Sequence, residues 1–495
     1  RTALVQLGTS AAVRALAERL SEEGAEGDRY PTINALSRFR GEARVPAVRA
    51  LIELLASEDT TVRRTAFDAA LQALGTREDA EKLRRPGPPL AHPPEVRPAE
   101  LTLELLSAAA RSRYPELRVL AANQLDVLAH PEADELLRGL FNDRERDVRI
   151  AAVAAYARRV IDGASDAAPL RDVLRGGARE TLLSAARGLA AAGDRDAFRP
   201  LLLFVRAGAD GEREQALLSL GVLGDLRALE ELEEIAAGGT EEAPVEPPMQ
   251  AAAVEALGRM YRHVEDGDVR ERIRDRVDAS LANRMLSASA VQALAQMGGE
   301  RSRSRLEGIV ATPSSNDRVA AAIALREFAD PASEKPLAGV LGDWYSELRW
   351  AAYEALRAIF PADRTRVELH AVQSYQDDLA EPAATYLAAE GAPAALLTIL
   401  GTLTDDDLRE RLRIGLARRE HVPAGDVAAL LRSDNPVARA DAAWVCGIRA
   451  ERLDPAEREQ LGSALVDAAS GASGAGSRPG SPATPSAPTA RSPPG

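Results

Sequence analysis

The sequence predicts an all-α fold, an α-solenoid (superhelix) of roughly twelve or thirteen helix-turn-helix repeats. Three observations carry this: a short helical phrase that returns along the chain, a core composition of small aliphatic residues, and no strand-like patterning. The 495 residues are 45% hydrophobic but only 4% aromatic, so Ala, Leu and Val must build the core, and that is a helical composition. Length alone suggests about three domains, yet a solenoid reaches this size as one unit because each repeat packs only on its neighbours. Nowhere do Val, Ile and Thr alternate with polar residues as in a half-buried strand.

The phrase is clearest at 57–75, SEDTTVRRTAFDAALQALG. Val62, Ala66, Ala69 and Ala70 fall at i, i+4, i+7 and i+8, an apolar stripe with the helical period, and Gly75 is placed to terminate it. The same grammar returns as PELRVLAANQLDVL from Pro115, ERDVRIAAVAAYARRV from Glu145, SELRWAAYEALRAI from Ser346 and DDLRERLRIGLA from Asp406. Weaker copies begin at Gly211, Pro248, Met285 and Ser433. Twelve anchors from Val62 to Val437 stand mostly 29–37 residues apart, with one interval of 55. Second apolar segments lie between them, such as FRPLLLFVRAG from Phe198 and APAALLTILGTLTD from Ala392. Each unit is therefore helix, turn, helix. The opening TALVQLG matches the end of a first helix, so the chain is expected to begin inside a repeat, as a fragment or processed product.

A Val-Arg start, an Ala-rich first helix and a Leu-rich second helix resemble the short HEAT-type, armadillo-like repeat, of the kind also found in bilin-lyase-type proteins. The resemblance covers residues 1–469 and implies a superhelix whose second helices line an extended concave face. In such repeats an arginine after the anchor pairs with acids of neighbouring repeats. Carried onto this chain, that makes Arg63, Arg118, Arg149, Arg349 and Arg409 a structural ladder, with Glu116, Asp147, Glu347 and Asp407 as its acids.

Two stretches interrupt the pattern. The long interval holds a Pro-rich insertion near 84–99, where six prolines exclude a continuous helix. Residues 470–495 contain no Leu, Ile, Phe or Trp to bury, and a disordered Ser/Pro/Gly/Ala-rich tail is expected there. An acidic run from Glu230 to Glu246 contains no basic residue and could receive a basic partner.

The chemistry-bearing residues are scattered. Five histidines stand singly, without a second His or Cys at ligand spacing, so no zinc site is readable. HEAT-type deoxyhypusine hydroxylases carry His-Glu pairs that bind iron, and here no His precedes Glu. Phosphate loops, a nucleophile elbow and H-E-x-x-H are likewise missing. The expectation is a protein with no catalytic residue, no cofactor and no metal. Cys446, the single cysteine, excludes an intrachain disulfide, and no stretch is long and apolar enough to span a bilayer. No membrane insertion is expected, and the cytoplasm is the expected location.

A formal charge of -14 argues against nucleic acid. Arg301, Arg303 and Arg305, and the arginines between 409 and 419, are diluted by Glu300, Glu307, Glu410 and Glu420. The aromatic residues are more informative. Trp344, Tyr345, Trp350 and Tyr353, followed by Phe360, concentrate in one repeat whose counterparts carry small or aliphatic residues. Trp and Tyr dominate interface hot spots, so these four are the expected partner-binding residues. The function expected is a non-catalytic scaffold or adaptor for protein partners of unknown identity. The alternatives are a bilin-lyase-type enzyme, by analogy of repeat, and a HEAT-like nucleic-acid-binding protein. The sequence leaves partner, pathway and oligomeric state open.

Overall fold

The computed structural model describes residues 1–21, 26–75, 99–240, 242–313, 316–419 and 422–474. Among these the chain is helical throughout, with short 3-10 turns and one isolated bridge between Gly239 and Pro244. It divides into two compact units, Arg1–Met297 and Gly298–Gly495. The Pro-rich insertion lies outside the described residues. The last helix runs to Gly474, so 470–474 are helical, and the rest of the expected tail also lies outside them.

The first unit opens with α1 (Thr2–Leu7), α2 (Ser10–Ser21) and α3 (Glu26–Leu36), followed by α4 (Arg44–Glu53) and α5 (Thr60–Leu74). It continues with α6 (Ala99–Ala110), α7 (Pro115–Leu125), α8 (Pro131–Leu140), α9 (Arg146–Ile161), α10 (Ala168–Gly176) and α11 (Arg179–Ala191). Then come α12 (Phe198–Ala207), α13 (Asp210–Leu223), α14 (Leu229–Ala236), α15 (Pro247–Met260), α16 (Gly267–Ser280) and α17 (Ser287–Met297). The phrase at 57–75 becomes α5. Asp59 caps it by accepting from the Thr61 and Val62 N–H groups, and Val62, Ala66, Ala69 and Ala70 are buried.

The hairpins are phased differently from the sequence reading. The tight pairs join a Leu-rich helix to the Val-Arg helix after it, as α12 with α13 and α14 with α15. Only Gly208 and Ala209 separate α12 from α13, which forces the two to lie antiparallel and in contact. The Ala-rich helices at the position of the Val-Arg phrase then stack on one another, α9 on α11, α13 on α15 and α15 on α17, with more contact than the Leu-rich helices make among themselves. Small residues make this possible: Ala152, Ala155, Ala253, Ala256, Ala290 and Ala293 are all buried. A Cβ on Gly258 of α15 would lie 2.5 Å from the Ala293 Cα of α17.

The second unit comprises α18 (Gly299–Ala311), α19 (Arg318–Phe328), α20 (Glu334–Ala338), α21 (Ser346–Ile359), α22 (Arg364–Val372) and α23 (Asp377–Glu390). It ends with α24 (Pro393–Leu400), α25 (Asp406–Arg418), α26 (Ala424–Leu431), α27 (Pro436–Arg449) and α28 (Pro455–Gly474). The same rules hold. α19 stacks on α21 and α23 on α25, and a Cβ on Gly415 of α25 would lie 2.6 Å from the Ala388 Cα of α23.

Candidate functional site

Three of the ladder arginines, Arg63, Arg149 and Arg349, share one geometry. Arg63 donates to the carbonyls of Ser57 and Glu58 at 2.8 Å each, Arg149 to those of Asp143 and Arg144 at 2.8 and 3.1 Å, and Arg349 to those of Asp343 and Trp344 at 2.8 and 3.1 Å. Each thus clamps the turn that enters its own helix. The other edge of the guanidinium reaches an acid of the next repeat: Arg63 to Glu116, Arg149 to Glu180 at 2.6 Å and Arg349 to Asp378 at 2.6 Å. Arg118 forks onto both Asp143 oxygens at 2.8 Å, and Arg409 forks onto the buried Asp441. Among the named acids, Glu116 takes the expected place. Glu347 instead accepts the Tyr345 hydroxyl at 2.6 Å, and Asp143 rather than Asp147 meets Arg118. Burial alone would raise the Asp143 carboxyl, but hydrogen bonds from Arg118 and the Glu145 N–H hold it below the usual carboxylate range. Arg149 does the same for Glu180.

Counted back from the first residue of each helix, the turns can be compared position by position. Two residues before the first helical residue stand Glu58, Arg144, Thr404 and Asp434, all polar and exposed. At that position α21 has Trp344, 84% exposed, and α23 has Tyr375, 66% exposed. The next position is the N-cap, filled by Asp59, Asp405 and Asn435, each capping with its side chain. α21 has Tyr345 there, 40% exposed, which makes no side-chain cap. Asp343 supports the turn instead, accepting the Tyr345 N–H at 3.0 Å and pairing with Arg318 at 2.7 Å. Tyr345 packs against Trp344 with ring centroids 5.7 Å apart.

The two aromatic turns touch. The Gln376 amide donates to the Gly342 carbonyl at 3.4 Å, and a Cβ on Gly342 would meet the Ser374 carbonyl oxygen at 3.1 Å. Tyr375 also has φ 58, a left-handed conformation that a bulky residue rarely adopts. Strain of this kind persists only where its surroundings enforce it. Trp344 and Tyr345, on the turn clamped by Arg349, and Tyr375, on the turn it touches, therefore form one aromatic edge. Tyr375 escaped the sequence reading because a lone Tyr gives no compositional signal; its spacing of 31 residues from Trp344 was the available clue.

Tyr353 departs from its expected role. It is 8% exposed, and its hydroxyl donates to the buried Glu368 at 2.8 Å. Burial and then Glu368 push that hydroxyl well above its ordinary pKa. Arg364 also donates to Glu368 and covers the Tyr386 ring, so Tyr353 belongs to a packed network joining α21, α22 and α23. Trp350, 43% exposed, stands edge-on to Tyr353 with centroids 5.7 Å apart. It keeps an exposed face and sits one residue beyond the clamp.

The edge is also acidic. The four turns 342–347, 374–378, 402–407 and 433–437 carry eight carboxylates and no Lys or Arg. Other charged candidates are engaged. Arg303 meets Glu307 and Asp330, Arg413 faces Asp441, and in the acidic run Glu231 and Glu233 pair with Arg206 and Arg272. Among the described residues no group of three or more His, Cys, Asp or Glu is placed to hold a metal ion. Nor is any described helix long and apolar enough to cross a membrane.

No protein-family model matches the chain, and no curated protein does. Among solved structures, the chain is similar to importin beta at 13% identity and a TM-score of 0.45, covering 92% of this chain and 64% of that one. It is similar to Kap121p at 12% identity and 0.36, covering 93% and 54%. It is similar to human deoxyhypusine hydroxylase at 18% identity and 0.23, covering 53% and 98%. The chain thus spans just under two thirds of the importin beta structure and about half of Kap121p.

Proposed function

We propose that this solenoid is a non-catalytic scaffold or adaptor that binds a protein partner through the aromatic edge of its second unit. The observation that carries the reading is the pair Trp344 and Tyr375, exposed rings at one repeat position where four other turns carry polar residues. Large exposed rings on rigid backbone bind with little loss of conformational freedom, and Trp and Tyr dominate the energetics of interfaces. The absence of basic residues from these turns favours a protein over a polyanion.

Affinity capture tests this by comparing the native chain with a Trp344→Ala, Tyr375→Ala variant, each with and without nuclease. Protein partners should survive nuclease and be lost from a variant whose circular dichroism is native. Partners retained by the folded variant, or recovery of nucleic acid alone, would remove the proposal.

A further inference from the structure

The four turns that open α21, α23, α25 and α27 share a second property besides the rings on the first two. Polar contacts join them, or the helices they open, in pairs: the Gln376 amide to the Gly342 carbonyl, the Arg411 guanidinium of α25 to Glu381 of α23, and the Asn435 amide to the Gly401 carbonyl. The four helices therefore begin at one end of one row. Several of their carboxylates are engaged internally: Asp343 by Arg318, Asp378 by Arg349 and Asp406 by Arg409. Glu347, Asp377, Asp407 and Asp434 are exposed and make no ion pair among the described residues. The nearby arginines face elsewhere. Arg349 and Arg439 donate to carbonyls of their own turns, and Arg432 faces Asp467 at 3.9 Å. Each turn thus presents at least one uncompensated negative charge, and the first two add exposed rings.

Spacing decides what such a row can read. Neighbouring helices in a row stand about 10 Å apart, and an extended chain rises ~3.1–3.4 Å per residue, so one helix step matches about three residues. We infer that the partner of this edge presents an extended cationic segment with arginine at every third residue, lying across the starts of α21, α23, α25 and α27 with one guanidinium to each turn. Arginine suits the edge because its planar guanidinium both pairs with carboxylates and stacks on aromatic faces, and the exposed Trp344 and Tyr375 supply those faces. The inference rests on the proposed use of this edge for binding and adds the chemistry of what binds. The same charges repel a polyanion or an acidic partner.

Fluorescence anisotropy tests this with the full chain and labelled synthetic peptides. The probe is a peptide of four Arg-Ser-Gly triplets, and its control has the same composition with the arginines consecutive. Non-specific attraction treats two peptides of equal charge alike, whereas the spaced peptide should bind at least tenfold more tightly than the control, with an affinity that falls as salt rises. The variant Glu347→Gln, Asp377→Asn, Asp407→Asn, Asp434→Asn should weaken the spaced peptide at least tenfold. These amides keep the shape of the carboxylates they replace and break no internal ion pair, so the variant should keep native circular dichroism. Equal affinity for the two peptides, or none for the spaced one at millimolar concentration, would overturn the one-per-turn register. Undiminished binding to the folded variant would overturn the site. A lysine version bound as tightly as the arginine peptide would overturn the ring stacking. Partner capture is a separate readout: a partner lost from Trp344→Ala but held by the four-amide variant would overturn the cationic class and leave the edge as a binding surface.

Discussion

At the residue scale, the arginine clamp explains both the stability of the turns and the exposure of what they carry. Arg118 and Asp143 are largely buried and share two hydrogen bonds, and Arg118 also donates to the Ser112 carbonyl. Arg118→Ala leaves a carboxylate and a carbonyl without their donor, so it should destabilise the fold by about 3 kcal/mol, read by denaturant unfolding. Arg118→Lys should recover only part of this, because an ammonium cannot fork onto two oxygens. Tyr375 presents the opposite case. Its left-handed backbone is strained, and Tyr375→Gly should raise stability by about 1 kcal/mol while weakening partner binding. A substitution that stabilises and also impairs binding would identify strain kept for a functional reason; equal or lower stability in Tyr375→Gly would show that the ring contributes to the fold.

At the scale of elements, the carboxylates that hold repeats together set the response to acid. Glu116, Asp143, Glu180 and Asp343 all have folded pKa values below their ordinary values of 4.5 and 3.8. For a depressed carboxyl the stabilisation is complete above its unfolded pKa and is lost as the pH falls through the folded one. Denaturant midpoints should therefore be flat from pH 7 to about 5 and decline below about 4; a decline that begins near neutrality would point to histidine instead. The close approach of Val-Arg helices gives a second prediction. Gly258→Ala forces a Cβ against the Ala293 backbone and should cost about 1–3 kcal/mol by overpacking, again read by denaturant unfolding. Much of this was legible in the sequence. The Ala stripe of α5, its Asp59 cap and the Val-Arg anchor are local signals, and they are sufficient for helix and repeat. Hairpin phase was not legible, since either neighbour of a Val-Arg helix carries suitable Leu residues, and only turn length and packing decide between them.

At the scale of the whole molecule, stacked repeats contact only their neighbours, so damage should spread locally. Within the first unit, Arg118→Ala should speed amide exchange in α6 to α9 and leave α15 to α17 near native rates; uniform acceleration would mean that the unit unfolds as one cooperative block. The candidate site was partly legible at this scale. Trp344 and Tyr345 stood out by composition, but Tyr353 was drawn into the same group because helical spacing does not reveal that Glu368 awaits its hydroxyl. Tyr375 became visible only once successive turns were aligned on their first helical residues, which set two rings where four other turns are polar.

The central claim is that this aromatic edge binds a protein partner. Its most direct test is calorimetric titration of the captured partner against the native chain and Trp344→Ala. Trp344 makes few demands on the fold, so its removal should change stability by less than about 0.5 kcal/mol. Removal of a hot-spot ring should weaken binding by at least about thirtyfold, equivalent to ~2 kcal/mol. An unchanged affinity in a variant of native stability would contradict the account.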